Sequence, residues 1–184
     1  KISLKQGLTL MDPRIKALID HFDFQPLPAE GTFFSSTWRS TREFSNGSPV
    51  GTAMIGMYSN DPLSQSLFHR LPADEVWHFY GGDPFRLVLL FPDGHSCDVV
   101  MGNDPLRGQH VQYVVKAGTW QAAHLIDGGL YALFGCTMAP GFMGSMYEGA
   151  RRSDLLAAYP GCRNNIMRLT DEDGETQMPQ DFAR

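Results

Sequence analysis

The chain of 184 residues carries a formal net charge of −5, with 42% hydrophobic residues, 19% charged residues and three cysteines. That composition builds one globular domain and excludes a disordered chain, and the acidic balance with scattered basic residues excludes a nucleic-acid partner. The longest apolar stretch, Leu87 to Phe91, is far too short to span a bilayer; Cys97, Cys136 and Cys162 form no CxxC pair, which excludes a disulfide scaffold and points to a reducing, cytoplasmic compartment.

Residues 1–11 read as a leader or disordered segment without the apolar core of a signal peptide. Asp12-Pro13 then reads as N-cap and first helical residue, and Ile15, Leu18, Ile19 and Phe22 form one apolar face of a short helix. After a loop from Pro26 to Gly31, strands are expected at Thr32–Thr41, Thr52–Ser59, Ser66–Leu71, Glu75–Tyr80, Phe85–Phe91 and Cys97–Met101. They are separated by turn chemistry such as Asn60-Asp61-Pro62 and Pro92-Asp93-Gly94. A loop from Gly102 to Gly108 leads to strands at His110–Val115, Thr119–Ile126 and Leu130–Met138, with Gly128-Gly129 as a hairpin turn. Arg152 to Tyr159 reads as a helix ended by Pro160-Gly161, and Thr170 to Arg184 as a polar, solvated tail. Nine or ten short strands without crossover helices favour an all-β jelly roll or closed barrel over an α/β fold. The barrel domain is placed at residues 12–162 and the tail at 163–184.

The stretch most informative about chemistry is His69-Arg70-Leu71 followed by Glu75 and Gly82. A later segment, Lys116-Ala117-Gly118-Thr119-Trp120-Gln121, brings a second polar group. These residues resemble the two motifs of the cupin superfamily. In the first motif two histidines spaced by one residue precede a glutamate and a glycine; Leu71 stands where the second histidine would be. In the second, Lys116 replaces the proline and Gln121 the histidine. A longer set of matches is similar to the cupin-5 subfamily. It comprises Ser66, His69-Arg70-Leu71, Asp74 to Phe79, Gly82-Asp83-Pro84, Ala117 to Gln121 and Gly135 to Phe142. The resemblance runs from about Asp12 to Pro160 and implies the cupin double-stranded β-helix with short terminal helices. It specifies fold more than reaction.

The resemblance also implies where a metal would sit. Period-two alternation puts both histidines of the motif on one strand face, the glutamate returns from the next strand, and the fourth ligand comes from the opposite side of the barrel. Here only His69, Glu75 and Gln121 remain as metal candidates, and a neutral amide is a poor ligand. No cofactor is therefore expected; a divalent metal is the alternative.

Glu75, Trp77 and Phe79 share one strand face, so the interior is expected to hold His69, Glu75, Trp77 and Gln121, a polar cluster walled by aromatics. His78 falls on the other face. The bland readings are a satisfied core pair for His69 and Glu75, and packing for Trp77 and Trp120. The functional reading is a small-molecule-binding cupin. It could act as a metal-independent isomerase or epimerase on a sugar-like or carbonyl compound, with His69 as base, Glu75 as orienter and Tyr80 as acid. Arg39, Trp77, Phe79 and Gln121 would contact substrate. The alternatives are a non-catalytic ligand binder and a weakly metal-dependent lyase or dioxygenase. The partners expected are a small molecule and a second copy, as a homodimer formed through the Thr32–Thr41 strand or exposed aromatics.

Overall fold

The computed structural model describes residues 11–183. In chain order the elements are α1 (Pro13–Phe22), β1 (Gln25–Pro26), β2 (Phe33–Arg39), β3 (Thr52–Asn60), β4 (Leu63–Ser64), β5 (Ser66–Arg70), β6 (Glu75–Gly82), β7 (Phe85–Leu90), β8 (Ser96–Met101), β9 (Gln112–Val115), β10 (Trp120–Leu125), β11 (Tyr131–Met138), β12 (Glu148–Gly149), α2 (Arg152–Ala158) and α3 (Arg163–Arg168). The expected strands are present with ends moved by a residue or two. The two-residue strands β1, β4 and β12 are additions, too short to show any period. The expected leader lies outside the described residues except for Met11.

The strands form two antiparallel sheets. One runs β1-β2-β3-β11-β6-β9 with β4 beside β3; the other runs β12-β5-β10-β7-β8. Their facing surfaces enclose the core. Tyr58, Trp77, Phe85, Leu87, Leu89, Leu125 and Phe134 meet there, each almost fully buried. Alternation sends the neighbours of these residues outward, where helices cover them. On the larger sheet Ile55 and Met57 pack against Ile15, Leu18 and Ile19 of α1. That helix starts as its sequence dictates: the Asp12 carboxylate accepts from the Arg14 backbone N–H at 2.8 Å and Pro13 occupies the first turn.

On the smaller sheet Phe68, Val88, Leu90 and Ala122 pack under Leu155 of α2 and under Ile166 and Leu169, from α3 and just after it. Ile166 and Leu169 are buried just ahead of the segment expected to be solvated. Within that segment most of residues 171–181 are exposed as expected, but Thr170 and Met178 are buried and Phe182 lines the inner cavity. These inward residues are too widely spaced to show any period. No helix among the described residues is long and apolar enough to cross a membrane. The three cysteines are free.

Candidate functional site

A cavity of about 300 Å³ lies between the sheets at one end of the barrel. Three β-bulges decide which side chains face it. Between Ser36 and Trp38 the β2 register against β3 shifts by one residue. Strict alternation would put Ser36 and Arg39 on opposite faces; the bulge puts both on the cavity wall and sends Trp38 outward, 53% exposed. A second shift, between Gln121 and Ala123 on β10, pairs them with His69 and Ser66 of β5. Ser66 and His69, three apart, therefore both line the cavity. The third shift, between Leu133 and Phe134 of β11, leaves Tyr80 as the extra residue of β6.

The inner end of the cavity is a closed hydrogen-bond network of residues at least nine-tenths buried. The Trp77 indole N–H can only donate, and it donates to Gln121 Oε1 at 2.9 Å. The Gln121 amide nitrogen is thereby turned the other way. It donates to Glu75 Oε2 at 2.6 Å and faces His69 Nε2 at 3.3 Å. Two N–H groups cannot face each other favourably, so Nε2 presents its lone pair to the amide. The ring proton then sits on Nδ1 and is donated to the Leu67 carbonyl at 2.9 Å. One donor-only side chain, Trp77, sets the direction of every bond as far as the histidine.

A second chain supports the other side of His69. Glu30 Oε2 stands 3.6 Å from Nδ1, and Glu30 Oε1 accepts from the Thr32 hydroxyl at 2.6 Å. With the Thr32 proton spent there, Ser66 donates to Thr32 at 3.0 Å and Tyr58 to Ser66 at 2.6 Å. The Tyr147 ring stacks on His69 at 5.1 Å between centroids, and its buried hydroxyl has no hydrogen-bond partner among the described residues. Burial raises the Glu75 carboxyl above its ordinary range, opposed by His69 and by the Gln121 hydrogen bond. Burial also pushes up the Cys136 thiol beside it, and Glu75 adds to that shift.

The donor set does not fit a divalent metal as it stands. Cation coordination needs lone pairs converging on one point. Here the Gln121 amide directs its hydrogens at both the carboxylate and the imidazole nitrogen, and its oxygen faces Trp77. Leu71, in the frame of the missing histidine, adds only apolar surface to the wall. Among the described residues no group of three His, Cys, Asp or Glu is arranged to hold a metal ion. The geometry also differs from the expected ligand layout. Gln121 comes from the strand next to His69 and is its direct register partner, while Glu75 reaches in from the facing sheet.

The structure brings together His69, Glu75, Trp77, Gln121 and Arg39 around one cavity. It separates Tyr80 and Phe79 from them. As the bulge residue, Tyr80 lies on the outer face, 55% exposed, stacked on His78 and filling the space left by Gly135. It is therefore not positioned as an acid in the cavity. Phe79 faces inward but at the packed end, against Phe85. Glu30, Tyr147, Phe142 and Phe182 were missed. Glu30 sits in a turn between β1 and β2, Tyr147 follows a single 3₁₀ turn, and Phe182 lies in the polar tail, so periodicity carried no signal for them.

Comparison with known proteins agrees with the fold. The profile of the cupin superfamily group DUF985 matches residues 16–150. A protein of known structure from Shewanella oneidensis is 26% identical, covering 86% of this chain and 98% of its own, with a TM-score of 0.78. A hypothetical protein from Leishmania major is 25% identical over 84% of this chain and 97% of its own, with a TM-score of 0.75. An oxalate decarboxylase variant from Bacillus subtilis is 12% identical over 87% of this chain and 42% of its own, with a TM-score of 0.50, a likeness of fold alone. No curated protein matches.

Proposed function

This chain belongs to the cupin superfamily, in its DUF985 group, and from that premise we propose that it binds a small organic molecule in the cavity between its two sheets. The observation that carries the reading is a cavity with a prearranged polar end and large apolar side chains on its walls. His69, Gln121 and Glu75 are locked by mutual hydrogen bonds, and Met54, Leu71, Phe134 and Met138 are among the residues that line the walls. A volume of about 300 Å³ suits a small ligand. A thermal-shift screen against sugars, sugar nucleotides, keto acids and other organic acids tests it. Binders raise the unfolding temperature as their concentration exceeds Kd. A panel that leaves the transition unmoved at millimolar concentration sinks the reading.

A second reading, metal-independent isomerase or epimerase chemistry on a carbonyl or sugar-like compound, is favoured by the fixed tautomer of His69. Its Nε2 lone pair points into the polar end while Nδ1–H is held by Leu67, with Glu30 behind it. In this reading His69 takes a proton from the carbon next to a carbonyl once substrate displaces the Gln121 amide. Glu30 replaces Glu75 as the orienting carboxylate, and Tyr147, stacked on the ring, is a phenol beside the base. The expected outcome is deuterium wash-in from D₂O to a keto-sugar or keto-acid probe. Equal exchange by His69→Ala rejects the catalytic reading and leaves the binder.

A further inference from the structure

The cavity has a second end, built from residues that the polar network does not use. The register row Arg39–Thr52–Met138–Glu75 runs side by side across β2, β3, β11 and β6. Three strand spacings of about 4.8 Å put Arg39 roughly 14 Å from Glu75 across the sheet. The bulge in β2 turns the guanidinium onto the cavity wall. Its Nη1 donates to the Phe142 carbonyl at 3.1 Å, and no carboxylate pairs with it among the described residues. Three aromatic rings share the cavity with it. Phe182 lies edge-to-face on Phe34 at 5.9 Å and on Phe142 at 6.4 Å, and all three line the cavity. The chain around Phe182 is held close: a Cβ on Gly144 would stand 2.3 Å from the Phe182 carbonyl oxygen, and Met178 nearby is buried. Phe182 lies beyond residue 150, where the family match ends, while Phe34 and Phe142 lie within it.

From this arrangement we infer that the site takes a monoanionic organic acid with a flat apolar body. The carboxylate sits on Arg39, the body lies against Phe34, Phe142 and Phe182, and a polar atom is directed toward His69 and Gln121. The inference rests on the small-molecule reading above. One guanidinium with unspent donors offers a fork for a carboxylate. Glu30 and Glu75 inside the same cavity disfavour a dianion such as a phosphate monoester, because among the described residues Arg39 is the one Lys or Arg that lines it. The C-terminal segment acts as the specificity wall.

Isothermal titration of the full chain with 3-phenylpropionate and with its neutral amide tests this. The acid is expected to bind about tenfold or more tightly than the amide, the difference a charge-assisted fork supplies. Arg39→Gln should weaken the acid about tenfold and the amide clearly less, closing the gap between the two probes. Phe182→Ala should weaken both probes alike, with its melting curve confirming the fold. Equal affinity of acid and amide, or equal losses for both in Arg39→Gln, overturns the anion assignment while the small-molecule reading stands. Unchanged affinities in Phe182→Ala overturn the wall. Binding of neutral sugars with neither probe bound rejects the inference alone; binding of nothing in the wider screen rejects both readings.

Discussion

The two ends of the barrel interior are made from the same strands and differ in almost every physical respect. At one end Tyr58 stacks on Phe134 at 4.3 Å, Phe85 meets Tyr58, Trp77, Phe79 and Phe134, and Leu87, Leu89 and Leu125 fill the space between. At the other, Ser36, Thr52, Ala53 and Met54 of β2 and β3 line the cavity beside Phe34 and Arg39, and the facing sheet offers Ser66 and His69. Strand β6 crosses from one to the other, with Phe79 in the packed end, Trp77 at the border and Glu75 in the hollow. Side-chain volume decides which end is full. Where large rings face each other across the sheets the interior closes to organic-crystal density; where small and polar groups face each other it stays open. The packed end holds the sheets together so that the open end can keep polar groups in fixed directions.

Three substitutions put that contrast at risk. The largest effect is expected from Phe85→Ala, which empties the centre of the aromatic cluster. Denaturant unfolding should show a loss of about 3–5 kcal/mol, through lost transfer energy and the cavity left behind. A loss below about 1 kcal/mol would mean that this end is not the mechanical anchor. The next is Gln121→Leu, close in volume but unable to hydrogen-bond. It strands the Trp77 N–H, one Glu75 oxygen and the His69 Nε2 lone pair. We expect a loss of about 2–3 kcal/mol, less than the sum of three orphaned groups because the adjoining cavity admits water. A neutral result would show that the network is not prearranged. The smallest stability effect is predicted for Ser36→Leu, which fills open space on the cavity wall. Stability should stay within about 1 kcal/mol of the parent while ligand-induced thermal shifts vanish. Retained shifts would place the ligand elsewhere.

How much of this was legible in the chain can be judged residue by residue. Alternation on β6 put Glu75, Trp77 and Phe79 on one face, and all three do point inward. The spacing of His69, Glu75 and Gln121 in the two motifs foretold their meeting. Tyr80, read as the acid, instead lies on the outer face as the bulge residue of β6. Arg39 lines the cavity for a reason the alternation of β2 does not contain, since only the bulge beside Trp38 turns it inward.

Local chemistry therefore determined the strands, their turns, the cap of α1 and the order of the motif residues, because each depends on neighbours a few positions away. Tertiary structure alone decided the rest. Glu30, Tyr147 and Phe182 reach the cavity from segments without period, and the direction of the Gln121 amide depends on Trp77, 44 residues away. That direction, invisible in any spacing, turns a position that resembles a metal ligand into one whose hydrogens occupy the place where a cation's lone-pair donors would have to converge.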